Sequence, residues 1–322
     1  MRVLVTGGAG FIGSHTVECL VAEGHEVIVD DNLTNGALHN LAGLGSRIER
    51  VIGEILDFPA LQRAMSGCDA VIHLAAIVSV GQSIADPLPA HAINATGTLN
   101  VFEAARRHGI RRVVYASSAA VYGASLALPL DETEPHSPLS PYAAQKGLAE
   151  IYASLYHQLH GLSPVGLRYF NVFGPRQNPA SPYSGVLSRF MAALAGGGGV
   201  TVHGDGRQSR DFVYVKDVAR ANYLALHAPE IAGGEVVNIG TGRSTTLLEA
   251  YDALVGLLDA PPTPPRFEGA RPGDIRHSQA RTERARFLLG FRANSPFATA
   301  LAETFAWVRM AEREDVAGVI LT

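Results

Sequence analysis

Gly7-Gly8-Ala9-Gly10-Phe11-Ile12-Gly13 follows directly on the apolar run Val3-Leu4-Val5. A short apolar run that ends in spaced glycines and resumes with helical periodicity reads as strand, tight turn and helix. Gly7 permits the turn, Gly10 lets the backbone approach a diphosphate, and Gly13 lets helix and strand pack closely. The helix so opened, over about 11–23, offers free N–H groups and the positive end of its dipole to a phosphate. The second strand, Glu26 to Asp30, leads into Asp30-Asp31, 17 and 18 residues beyond Gly13. A carboxylate there hydrogen-bonds adenosine ribose hydroxyls and repels a 2′-phosphate. No arginine follows the strand at once. These residues predict NAD rather than NADP.

Outward from this unit the alternation continues. Strands are predicted near 51–52, 70–74, 112–116 and 165–169, with helices near 59–65, 91–108 and 141–160. Buried strands alternating with helices give an α/β fold: a doubly wound parallel Rossmann sheet covered on both faces. Beyond about residue 170 the rhythm breaks. Helices are predicted near 185–195, 216–227 and 247–258, with strands near 200–203 and 236–239, and the prolines at 261–265 read as an extended linker. Residues 1–170 are thus expected to form the NAD-binding domain, with about 205–240 packing back onto it. Residues 171–322 are expected to supply mainly a smaller C-terminal α/β lobe that binds substrate.

The chain has 322 residues, 47% apolar and 17% charged, with a net charge of -4. That is globular composition with no general attraction to nucleic acid or an anionic membrane. The two cysteines, Cys19 and Cys68, read as reduced core thiols, and no metal site is expected. No apolar run reaches the ~20 residues that span a bilayer. Met1-Arg2 leads into a strand, not a signal peptide, and a cytoplasmic protein without membrane partners is expected.

Tyr142-Ala-Ala-Gln-Lys146 lies on a predicted helix. Its i, i+4 spacing puts phenol and ammonium on one face. An adjacent ammonium and a cationic nicotinamide ring lower the pKa of a tyrosine and make it a usable base. Ser117-Ser118-Ala119-Ala120-Val121-Tyr122-Gly123 follows the fifth strand, at the strand ends where ligands bind in such sheets. A serine there can hydrogen-bond a reacting hydroxyl.

Together these segments resemble the extended short-chain dehydrogenase/reductases. The resemblance runs on through Arg168-Tyr-Phe-Asn-Val-Phe-Gly174, Ser209-Arg-Asp-Phe-Val-Tyr-Val215 and Arg271-Pro-Gly-Asp-Ile-Arg-His-Ser278. It points to nucleotide-sugar 4-epimerases, above all those acting on UDP-N-acetylglucosamine. It implies Ser118, Tyr142 and Lys146 as the catalytic set. For NAD it implies Gly7, Gly10, Phe11, Ile12, Asp31, Asn32, Ile55, Leu74, Ala75, Asn94, Tyr142 and Lys146. Glu54 stands where the family usually has Asp facing the adenine amino group. For the UDP-sugar it implies Asn171, Val186, Arg210 and Arg271, alongside Ser79, Ser118, Tyr142 and Ser278. Two arginine forks suit a diphosphate.

In the resembling enzymes a bulky aromatic at the position of Ser278 excludes N-acetylated sugars, whereas a small residue admits them. Ser278 therefore implies UDP-GlcNAc/UDP-GalNAc and also UDP-glucose/UDP-galactose. Related dehydratases carry acids directly after the catalytic hydroxyl, where this chain has Ala119 and Ala120. Related glucuronate epimerases carry Arg where this chain has Asn178. A UDP-glucuronate 4-epimerase, a net NAD-linked sugar oxidoreductase and a non-catalytic NAD-binding protein are the competing readings. The family also implies a homodimer built as a four-helix bundle from about 94–108 and 142–158. Leu148, Ile151, Leu155 and Leu159 give the second helix an apolar stripe that fits either such an interface or core packing.

Overall fold

The computed structural model describes residues 1–178, 185–229, 231, 233–259, 261, 263–270 and 275–316. The first half alternates β1 (Arg2–Thr6), α1 (Phe11–Ala22), β2 (Glu26–Asp31), β3 (Ile48–Ile52), α2 (Phe58–Met65) and β4 (Ala70–His73). It continues with α3 (Val80–Ala85), α4 (Pro87–His91), α5 (Thr98–Arg107), β5 (Arg112–Ser118), α6 (Pro141–His160) and β6 (Ser163–Tyr169). Next come β7 (Asn171–Phe173), α7 (Val186–Ala195), β8 (Thr201–His203), β9 (Ser209–Arg210), β10 (Phe212–Tyr214), α8 (Val215–His227) and β11 (Glu235–Ile239). The chain closes with β12 (Thr245–Thr246), α9 (Leu247–Val255), β13 (Arg266–Glu268), α10 (Glu283–Leu289) and α11 (Phe297–Val316).

Among the described residues the main sheet has seven strands in the order β11-β6-β5-β4-β1-β2-β3, every pair parallel. The order reverses at β1, and that switch opens a crevice at the strands' carboxyl ends. Alternation along β1 sorts the two cores. Val3 and Val5 pack under α1 and α8 with Val17, Leu20, Val218 and Ala221. Leu4 faces the other way, toward Phe102 of α5 and Ala149 and Ala153 of α6. Covering both faces is what allows so apolar a strand.

The smaller C-terminal α/β lobe has its own core. Phe190 and Met191 of α7, Tyr251 of α9 and Phe305 of α11 meet Phe173 and Phe212 there. Short ladders support it: β7 beside β10, β8 beside β13 and β9 beside β12. After the lobe's first elements, α8 and β11 return to the main sheet, with β11 pairing β6.

One helix differs from the sequence expectation. The segment read as starting at 91 begins at Val80, capped by Ser79, and restarts at Pro87. Pro87 opens the second of these helices, where a proline in the first turn forfeits no hydrogen bond. Between α4 and α5 the backbone widens into a π-turn over Ala92–Gly97. No helix among the described residues is long and apolar enough to cross a membrane.

Candidate active site

The cofactor cradle follows from three glycines. Gly7 adopts φ +69°, and a Cβ there would lie 2.6 Å from the Ala75 nitrogen. A Cβ on Gly13 would lie 2.0 Å from the Gly7 carbonyl oxygen, so α1 could not sit so close to the turn. Gly10 caps α1 in an extended conformation, with no capping side chain and no acid in the first turn. The end of the helix is thus left to an anion. Phe11 and Ile12 pack their side chains against the lobe core.

At the end of β2, Asp31 accepts from Ala9 N at 2.9 Å and from Leu33 N at 2.8 Å, one bond on each oxygen. Each oxygen keeps an acceptor site for a ribose hydroxyl. Asn32 donates from Nδ2 to Glu54 Oε2 at 2.7 Å, so the longer carboxylate at position 54 is held by its neighbour. Burial, then the nearby Asp31 and Glu54, push the Asp30 carboxyl up to about 6. Such concentrated negative charge disfavours a 2′-phosphate, and the cradle fits NAD.

The other predicted cofactor residues line the neighbouring strand ends. Leu74 N donates to the Thr6 carbonyl at 3.0 Å, just beyond β4, with Ala75 beside Gly7. Ile55 is buried under Gly97. The Asn94 side chain, inside the π-turn, bonds both backbone groups of Ile77 (2.8 and 2.9 Å) and Gln145 Oε1 (2.8 Å).

Ser140 caps α6 through Ala143 N, and Tyr142 N donates to the buried Ser83 Oγ at 3.1 Å. Burial pushes the Tyr142 phenol up, while the neighbouring Ser118 hydroxyl draws it down. Lys146 Nζ lies 5.8 Å from the Tyr142 ring centre and donates to Ala116 O at 2.7 Å. Two of its three protons remain for a ligand. Burial lowers the Lys146 pKa to about 8, against the pull of Glu150. A cation arriving over the phenol is what would favour the phenolate.

On the lobe side, Asn171 lies in β7 and Val186 opens α7. Arg210 in β9 donates from Nη1 to Ser209 O at 2.9 Å. Ser278 is buried, and its N–H donates to Ser209 O at 3.1 Å, beside Arg210. Ser79 is buried with its hydroxyl capping α3 through Gln82 N at 2.9 Å. Arg271 lies outside the described residues.

The NAD dependent epimerase/dehydratase profile matches residues 3–240, which span the main sheet and every segment of the cradle. The chain belongs to this family. It is 39% identical over 313 residues to the UDP-glucose 4-epimerase of Mycolicibacterium smegmatis, covering 96% of this chain and 99% of that one. It is 37% identical over 319 residues to a dTDP-glucose 4,6-dehydratase of an Actinoplanes species, covering 96% and 98%. Among solved structures it is similar to the UDP-N-acetylglucosamine 4-epimerase of Methanobrevibacter ruminantium in complex with UDP-N-acetylmuramic acid. The TM-score there is 0.92 at 38% identity, over 96% of this chain and 98% of the other.

Other members of this site escaped the sequence reading. Gln145 positions Asn94. His73 is buried between Thr6 Oγ1 (2.7 Å) and Thr98 Oγ1 (3.0 Å), and burial, then Lys146, hold its pKa at about 3, so it stays neutral. Glu150 and Arg168 form a buried ion pair at 2.7 Å. The one signal for Glu150 was its position, four residues after Lys146 on the same helix face.

Proposed function

We propose that this protein inverts C4 of UDP-hexoses through a 4-keto sugar, on UDP-GlcNAc/UDP-GalNAc and also on UDP-glucose/UDP-galactose. The enzyme is an NAD-dependent isomerase of nucleotide sugars. Bound NAD supplies the two-electron acceptor and donor for C4. The chain's own residues manage the proton and the geometry. Tyr142 takes the proton from O4 and returns it, Ser118 holds O4, and Lys146 holds the nicotinamide ribose and favours the phenolate. Asn171, Val186, Arg210 and Arg271 hold the UDP moiety, which lets the keto sugar turn over without leaving.

The observation that carries the reaction type is the Ser118–Tyr142–Lys146 cluster followed by Ala119 and Ala120. Eliminating water from C6 needs an acid at the hydroxyl that leaves. The carboxylates near this loop are committed elsewhere: Glu150 to Arg168, and Glu132 to the Asn238 amide at 2.8 Å. Inversion needs no such acid. The small, buried Ser278 supports acceptance of an N-acetyl group, and Asn178 offers no cation to a uronate.

We also assign residues 1–170, with about 205–240, to the cofactor and most of 171–322 to the UDP-sugar. A homodimer through α5 and α6 is supported by the apolar stripe on α6: Ile151, Leu155 and Leu159 are 53%, 41% and 69% exposed. They face outward, not into the core of this chain.

The test is incubation with UDP-GlcNAc, UDP-glucose and UDP-glucuronate separately, with products assigned by proton NMR. The first two are expected to reach mixtures of C4 epimers without accumulating NADH, and the third to remain unchanged. A 4-keto-6-deoxy product, or stoichiometric NADH, would overturn the proposal.

A further inference from the structure

Behind the active site lies a buried polar cluster that takes no part in the chemistry above. Glu150 sits on α6 one turn beyond Lys146, two turns beyond Tyr142, and is buried. Its Oε1 accepts from Ser117 Oγ at 2.5 Å and from Arg168 Nε at 2.9 Å. Its Oε2 accepts from Arg168 Nη2 at 2.7 Å and meets His136 Nε2 at 2.7 Å. Arg168, 3% exposed on β6, turns Nη1 to Tyr122 OH (2.8 Å) and Glu132 O (3.2 Å), and its Nη2 also lies 2.9 Å from His136 Nε2. Burial works against the Glu150 anion, but its hydrogen bonds to Arg168, His136 and Ser117 prevail and hold its pKa at about 2. The carboxylate is therefore ionised throughout the working range.

One hydrogen bond and one charge–charge relationship along α6 tie this anion to the active site. Ser117 is the residue immediately before Ser118, so the Ser117–Glu150 bond joins the end of β5 to α6. Lys146 shares a helix face with Glu150 at i, i+4, where opposite charges attract. The other groups shown around Lys146 carry no negative charge: His73 from β4 is neutral, Tyr142 is a phenol pushed up by burial, and Ala116 offers a backbone carbonyl.

We infer that Glu150 is a positioning residue: it fixes the strand end carrying Ser118 against the helix carrying Tyr142 and Lys146, and it supplies the negative charge that keeps the Lys146 ammonium in place. The inference rests on the roles proposed above for those three residues. A misplacement of about 1 Å in such a constellation costs up to about 100-fold in rate.

The chain contains only two lysines, Lys146 and Lys216, so lysine-specific isotope labelling reads Lys146 directly by NMR, with Lys216 as internal reference. In the NAD-loaded protein, Glu150→Gln is expected to move the Lys146 titration down by about one unit, a tenfold change in its ionisation ratio. The alkaline limb of the kcat profile should follow, with kcat down roughly 10- to 100-fold and KM for the UDP-sugar kept. A Lys146 titration identical in variant and wild type would overturn the inference. Losing one partner of a buried pair strands the other charge, so Ser117→Ala is the second variant, leaving the ion pair intact. It is expected to lower kcat several-fold with KM and the lysine titration unmoved; wild-type kcat in Ser117→Ala overturns the inference even if Glu150→Gln does not fold. Wild-type protein that inverts no UDP-hexose would contradict the proposed function instead, while the lysine titration still judges Glu150.

Discussion

The N–H of Ser278 donates to the carbonyl of Ser209 at 3.1 Å, so the residue proposed to gate the sugar is fixed one position from Arg210, proposed to hold the diphosphate. The bond runs from backbone to backbone and does not use the serine hydroxyl. The proposed contribution of position 278 is its size. Ser278→Tyr is expected to abolish turnover of UDP-GlcNAc and UDP-GalNAc while keeping UDP-glucose within a few-fold of wild type. Parallel kcat/KM measurements on the two pairs check this; equal losses on both would sink the gating role.

Tyr142 lies beside Lys146, and the Ser118 hydroxyl draws its phenol down in pKa. Replacing it by Phe removes one oxygen and leaves the α6 backbone and the Ser83 contact to the Tyr142 amide in place. The variant is expected to lose about 10²- to 10⁴-fold in kcat, the usual contribution of a general base, with UDP binding by calorimetry unchanged. Affinity falling in proportion to kcat would mean that the phenol only binds.

Much of the cofactor site was legible because its determinants are local. The Gly7–Gly13 turn, the acids ending β2 and the Tyr142/Lys146 spacing each lie within one strand–turn–helix or one helix, where spacing alone fixes the geometry. The Glu150–Arg168 pair was not legible, because Ser117, His136, Glu150 and Arg168 come together only when β5, α6 and β6 are assembled. The start of α3 was missed for a related reason. The sequence reading began the helix at about 91, whereas the structure caps α3 with Ser79 and places Pro87 in the first turn of α4. The stripe on α6 had two readings, core or interface. Outward exposure of Ile151, Leu155 and Leu159 removes the first within a single chain.

Asp30 offers a stability test. It is buried beside Asp31 and Glu54, and its carboxyl is raised from 3.8 to about 6. The folded state therefore holds its proton where the unfolded chain has released it. Stability attributable to this group is present below about pH 4 and is lost as pH rises through about 6. Asp30→Asn is expected to raise Tm of the cofactor-free protein at pH 7–8 by several degrees, from a gain of at most about 3 kcal/mol at 1.4 kcal/mol per unit. The two melting curves should converge near pH 4. A gain that persists unchanged at pH 4 would show that charge is not the cause.

Leu155 lies mid-stripe on α6. Leu155→Glu places a charge in the middle of the proposed dimer seam, where it would be buried without a partner. Light scattering after size exclusion is expected to give about twice the chain mass for the wild type and the single chain mass for the variant. A monomeric wild type would remove the dimer proposal.

The central claim is that one carbinol carbon loses and regains its own hydrogen inside a closed site. The direct measurement is NMR of UDP-GlcNAc carrying deuterium at C4, incubated with the NAD-loaded enzyme in ordinary water. The account predicts inversion at C4 with the deuterium retained on the same carbon and no free reduced cofactor. Inversion with protium from water at C4, or an unchanged C4 configuration, would contradict it.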